Sequence, residues 1–232
     1  MWLFNSSIGK KVVMSVTGLA LIFFLTFHMA MNCVALFSAE AYEWICNFLG
    51  ANWYAIVGTI GLALLVLIHF GYAFWLTLTN MKARGTQKYA VTARPKGVEF
   101  SSRNMFVLGL CVILGLCLHL VNFWSKMQLV ELMGGEPAQG VDVIRNTFSQ
   151  WYFVLLYLLW FGALWFHLTH GFWSAIQTIG WSGRVWFKRW KVISYIVVTL
   201  LMLGFAGVLV LFFCAETLNW PIFPGLFGGL VG

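Results

Sequence analysis

The chain has 232 residues, of which 61% are hydrophobic and only 9% charged, and its net charge is +7. A soluble domain carries charge on about a quarter of its residues. Here the apolar residues gather in runs long enough to cross a bilayer as helices, which takes about 20 residues each. That excludes a soluble enzyme and implies an integral membrane protein.

In chain order, the start MWLFNSSIGKK lacks the layout of a cleavable signal peptide, because its basic pair comes late and no clear cleavage site follows the apolar run. Five transmembrane helices are expected, at about 12–37, 53–79, 105–124 (with an amphipathic extension toward Met133), 151–179 and 192–214. None contains proline, so each can pair its own backbone donors. The fold expected is an all-α integral membrane protein, one five-helix domain over residues 1–232. Its Gly-rich end, PIFPGLFGGLVG, reads as a poorly ordered tail.

The connections alternate in charge. Lys10 and Lys11, then Lys82, Arg84, Lys88, Arg94, Lys96 and Arg103, then Arg184, Lys188, Arg189 and Lys191 fall on one side, twelve of the fourteen basic residues. The other side holds Lys126 and Arg145 with Glu40, Glu43, Glu131, Glu136, Asp142 and Glu216. The positive-inside rule puts the N-terminus in the cytoplasm and the C-terminus in the periplasm. The surplus of positive charge is thereby explained as topology, and no nucleic-acid partner is needed. The five cysteines show no CxxC or CxxCH spacing, which argues against thiolate zinc and covalently attached haem. A Cys33–Cys46 disulfide on the outer side is permitted by compartment but not favoured. No phosphate-binding loop, nucleophile motif or carboxylate pair stands out, and the basic loops are too short for a catalytic domain.

All five histidines, His28, His69, His119, His167 and His170, fall inside expected spans, where ionisable groups are costly and functional by default. Lys11 to His28 is 17 residues and Arg103 to His119 is 16, on two helices running outward. Trp53 to His69 and Trp151 to His167 are 16 each, on two helices running inward. At about 1.5 Å of rise per residue, these spacings give two layers of two histidines, one toward each face. Two imidazoles facing each other across a bundle are the ligand set of a six-coordinate b-type haem iron. Two such haems stacked across the membrane would conduct electrons. Zinc would need three or four ligands at one depth, and a transporter would want acids inside the helices, where none is found. Gly18, Ala30, Gly71, Gly115, Gly162 and Gly171 offer gaps for a flat macrocycle. Trp53, Trp151, Trp181, Trp186 and Trp190 lie at expected boundaries, as an aromatic belt requires. His167 and His170 share one helix face about 4.5 Å apart along the axis, so spacing leaves open which is the ligand.

At this point the sequence resembles a known family, the cytochrome b membrane anchor of succinate dehydrogenase and fumarate reductase, in its single-chain, five-helix, two-haem form. The resemblance rests on SVTGLALIFFLTFH, Ser15 to His28, and on HLTHGFWSAIQTIG, His167 to Gly180. With the histidine spacing and the helix count, it extends over about residues 8–215. It implies His167 as the helix-4 ligand, four residues before Gly171. His69 and His167 would bind the proximal haem iron, and His28 and His119 the distal one. Ser15 and His170 would serve the proximal haem's propionates or pocket. Gly18 and Gly171 would let the macrocycles approach. Flavoprotein and iron–sulfur subunits would dock on the cytoplasmic side and carry the dicarboxylate chemistry. A quinone, expected to be menaquinone, would react near the distal haem, with Glu40 and Glu43 as candidate proton acceptors. The site implied is the bacterial cytoplasmic membrane, with lipid as a further partner and a dimer of the heterotrimer as one assembly. Where some relatives carry a carboxylate two residues before the helix-4 ligand, this chain has Trp165, which removes that proton route. A two-haem anchor for a hydrogenase or formate dehydrogenase, and a haem-free transporter, are the alternatives.

Overall fold

The computed structural model describes residues 6–84 and 99–218. Lys88, Arg94 and Lys96 of the long basic connection, and the tail from Pro221, lie outside the described residues. In chain order the helices are α1 Ser7–Val34, α2 Ala39–Phe48, α3 Trp53–Arg84, α4 Phe100–Arg103, α5 Met105–His119, α6 Gln128–Leu132, α7 Gly140–Phe148, α8 Trp151–Thr178 and α9 Arg184–Leu218. A π-helical turn, Leu120–Trp124, continues α5. Among the described residues five helices, α1, α3, α5 with its π turn, α8 and α9, are long and apolar enough to cross a membrane. The chain is a multi-pass, all-helical membrane protein.

Several boundaries differ from expectation: the first span runs Ser7–Val34 rather than 12–37, and the second continues to Arg84. The fifth span begins at Arg184 rather than near residue 192, so Arg184, Lys188, Arg189 and Lys191 form its opening turns instead of a loop. The alternation of Trp and basic residues there suits a helix lying at an interface, where hydropathy alone falls short. The extension toward Met133 is a separate short helix, α6, because the chain turns at Ser125–Met127. The connections opposite the basic end hold α2 and α7. Ser38 caps α2 by accepting from the Ala41 amide at 3.1 Å.

The element at the centre is α8, which packs against α1, α5 and α9. Between α8 and α9, Leu164, Leu168, Val198, Leu201 and Met202 form a buried core. The Trp165 indole donates to Thr199 Oγ1 at 2.9 Å and ties the same two helices. A second core closes the end away from the basic residues, where Tyr42, Ile144, Phe148, Tyr157, Leu209 and Phe212 meet. By contrast α3 touches α1 and α5 but has no buried residue. Its neighbours leave a space beside it. Trp53, Trp151, Trp181 and Trp186 are exposed at helix ends, in keeping with an interfacial belt.

Candidate functional site: two histidine pairs in one cavity

The space between α1, α3, α5 and α8 is a cavity of ≈ 1360 Å³. That exceeds the ~300–1,000 Å³ typical of a pocket for one small molecule. Its lining is mostly apolar and includes all five histidines.

Four of the histidines meet in two pairs. His28 of α1 and His119 of α5 have ring centres 5.7 Å apart and nearly perpendicular, at 85°. His69 of α3 and His167 of α8 have ring centres 6.4 Å apart at 72°. The first pair lies toward the end away from the basic residues (the far level), and the second toward the basic end (the near level). Metal–imidazole bonds of about 2.0–2.1 Å put two nitrogens on opposite sides of one metal about 4 Å apart, and the ring centres about 1 Å further out each. Both observed separations are near that sum. Among the described residues no three His, Cys, Asp or Glu side chains gather as a metal-binding group. The donor set is two pairs of imidazoles in a mostly apolar cavity.

The far level is built from rings. Phe24 stacks on His28 with centres 5.5 Å apart, and Phe205 lies 5.8 Å away. His119 sits against Phe123 at 5.1 Å, Trp160 at 5.9 Å and Tyr157 at 6.4 Å. Trp160 takes that position because Gly115 presents no side chain: a Cβ there would collide with the indole. The indole then donates to Val112 O at 3.0 Å. The π turn begins one residue past His119 and re-aims the side chains beyond it, so that Asn122 is buried and donates to Tyr157 at 3.4 Å.

The near level is built from small and polar residues. A Cβ on Gly18 would come within 3.2 Å of His69 Cε1, and one on Gly109 within 3.6 Å of His167 Cε1. Thr17 Oγ1 lies 3.0 Å from His69 Nδ1. The His167 Nδ1 atom is buried with no hydrogen-bond partner. Ser15 lines the cavity and donates to Lys11 O at 2.9 Å.

His170 has different company. Its Nδ1 lies 3.7 Å from Glu99, and Lys191 bonds the same carboxylate at 2.6 Å. The Trp173 ring stands edge-on to His170 at 4.8 Å, and the Lys191 ammonium lies over Trp173 at 4.6 Å. His170 thus faces a charged cluster at the basic end while still touching the cavity.

Of the candidate gaps, Gly18 and Gly171 line the cavity, whereas Ala30, Gly71, Gly115 and Gly162 do not. Glu40 is exposed on α2 and outside the cavity. Glu43 does reach the lining, but its oxygens accept from the Gly140 and Val141 amides at 3.0 and 2.7 Å, which satisfies the start of α7. Glu131 also lines the cavity, with Oε2 accepting from the Ala51 amide at 2.8 Å. Cys33 and Cys46 are free thiols. Burial pushes the Cys46 thiol up to about 11, with the Glu43 carboxylate adding to the rise and a Tyr42 hydrogen bond opposing it. Gly109, Glu99 and Glu131 carry no spacing signal, and Thr17 is marked only as part of the Ser15–Gly18 motif. For Gly109 the only hint in the sequence is its place one helix from His167.

Comparison of the chain with protein-family models, curated proteins and solved structures finds no match in any of the three.

Proposed function

We propose that this chain is the membrane-anchoring cytochrome b subunit of a succinate:quinone oxidoreductase or quinol:fumarate reductase. The observation that carries the reading is the pairing of four histidines, from four different helices, at two levels of one large apolar cavity. In this reading His28 and His119 hold one b haem, and His69 and His167 the other. The haems supply one-electron transfer when bound. The chain's own residues do the rest. The four imidazoles would hold and orient the two macrocycles. Gly18 and Gly109 keep the faces beside His69 and His167 clear. The aromatic shell at the far level excludes water. His170 and Ser15 line the cavity beside the Glu99–Lys191 pair and Lys11, and would meet the near macrocycle's carboxylates.

The basic end is the cytoplasmic, docking side in this proposal, where flavoprotein and iron–sulfur partners carry the dicarboxylate chemistry. The membrane is the bacterial cytoplasmic membrane. A menaquinone reacts at the far end of the cavity, where Asn32, Tyr42, Glu43, Gln128 and Glu131 are among the residues that bring polar atoms to the wall. There Glu131 is a better proton acceptor than Glu43. Glu43 uses both oxygens to hold backbone amides, whereas Glu131 uses one.

A haem-free transporter draws on one observation, the Glu99 carboxylate beside the intramembrane His170. One experiment separates the two: a dithionite-reduced minus oxidised spectrum of the complex isolated from membranes, with a pyridine haemochrome count. Two b haems per chain are expected. A chain isolated without haem overturns the proposal.

A further inference from the structure

The Thr17 hydroxyl is buried on α1 and has one proton to give. It gives it within its own helix, since Oγ1 lies 2.8 Å from Val13 O, the back-bond usual for threonine in an apolar helix. What remains on Oγ1 is acceptor capacity, and His69 Nδ1 lies 3.0 Å away on the neighbouring helix, where the Met14 carbonyl is a second acceptor for the same ring. A hydroxyl whose proton is committed to a carbonyl can only accept from that nitrogen. The imidazole therefore carries its proton on Nδ1 and keeps the Nε2 lone pair free. The Gly18 backbone beside it leaves room for the ring and little room for it to turn, since even a methyl group there would approach His69 Cε1 to 3.2 Å.

From this we infer that Thr17 is a positioning residue that fixes the tautomer and orientation of His69 and presents Nε2 toward His167. The inference rests on the haem reading above and adds to it an asymmetry between ligands. An acceptor on the distal N–H raises the basicity of a ligating imidazole, and hydrogen bonding around the ligands is one of the protein's levers on a haem's potential. Among the described residues the other three proposed ligands lack such a partner. His167 Nδ1 is unpaired, the amide nitrogen of Asn32 stands 3.5 Å from the His28 ring as a donor rather than an acceptor, and His119 is surrounded by aromatic rings. Thr17 therefore lowers the potential of the haem at the near level and leaves the other alone.

The test uses the whole complex isolated from membranes, with Thr17→Val to remove the acceptor and Thr17→Ser to restore it. Haem is counted, each haem's potential is titrated, and the low-spin electron paramagnetic resonance signals are recorded. Thr17→Val is expected to keep two haems, to raise one of the two potentials and to move one signal, while Thr17→Ser matches the parent. Loss of one haem in Thr17→Val with two kept in Thr17→Ser also supports the assignment. Two haems with both potentials unmoved or lowered in Thr17→Val overturn it, as does Thr17→Ser behaving like Thr17→Val. A parent complex without haem is a separate failure, of the functional reading itself, and is seen before any variant is made.

Discussion

The two histidine levels share a geometry and differ in construction. At the far level the His28 and His119 rings are wedged among Phe24, Phe123, Tyr157, Trp160 and Phe205. At the near level the surroundings are Thr17, Gly18 and Gly109, with the Glu99–Lys191–His170 cluster just beyond. The far level is held mainly by packing, with the Asn32 amide as a polar group beside the His28 ring. The near level is held by clearance and by one hydrogen bond, which leaves its electronics open to the chain. On the haem reading, two similar histidine pairs in one bundle are in this way given different surroundings without changing an imidazole.

The largest effect expected is loss of the ligands themselves. His28→Ala or His119→Ala should leave one haem per chain, and His69→Ala or His167→Ala should leave the other. His170→Ala should keep two, because its ring faces Glu99 and not the paired imidazoles. Haem counts and spectra decide this. If His170→Ala loses a haem while His167→Ala does not, the near-level ligand is misassigned.

Next in size is the chemistry proposed for the far end. Glu131→Gln should lower the turnover of quinol oxidation by about 100-fold, the lower end of the range for a lost general base, with haem content unchanged. Glu43→Gln should spare turnover and instead weaken the start of α7, by about 1 kcal/mol as for other lost helix caps. Turnover at saturating quinol and thermal unfolding of the two variants separate the roles. The reverse pattern would make Glu43 the acceptor.

The clearance at the near level gives a sharper, smaller contrast. Gly109→Leu and Gly18→Leu should reduce occupancy of the near haem and spare the far one. Gly71→Leu and Gly162→Leu should spare both, since a Cβ at either position meets nothing within 4 Å. Equal losses across the four variants would remove the distinction between slot glycines and lipid-facing ones.

A contrast that leaves turnover and haem untouched concerns the closed far end. With its thiol raised to about 11 from an ordinary 9.0, Cys46 in the folded chain holds about 100-fold less thiolate near pH 7.5 than in the unfolded chain. Alkylation of Cys46 should slow by at least that factor in the native protein, read by mass spectrometry against a denatured control. A native rate equal to the denatured one would mean that this end is open.

Much of the architecture is legible in the residues. The third and fourth spans end within a few residues of expectation, because a bilayer imposes a length and hydropathy reports it. The alternation of charge put Lys10, Lys82, Arg103 and Lys191 at one end without any knowledge of packing. What hydropathy could not show is where a helix continues beyond the apolar stretch, and the first turns of α9 are the instance.

The histidine pairs are an intermediate case. Depth comes from residue counts along straight helices, so His28 could be matched with His119 and His69 with His167 by height. Depth says nothing about rotation about the helix axis, and rotation decides which ring faces the cavity. The i, i+3 spacing left His167 and His170 equivalent. Only the packing of α8 against α1, α5 and α9 turned one toward His69 and the other toward Glu99. Thr17 stood in the Ser15–Gly18 motif with no role readable from it, and Gly109 and Glu131 were invisible, for the same reason: each acts across a gap between helices, on a partner 52, 58 or 80 positions away. Composition and periodicity along one chain thus determined how many helices there are, how deep each residue lies and which end is basic. Tertiary structure alone decided what each side chain meets, because helix–helix contacts depend on the relative rotation of two cylinders, and that quantity is written in neither helix by itself.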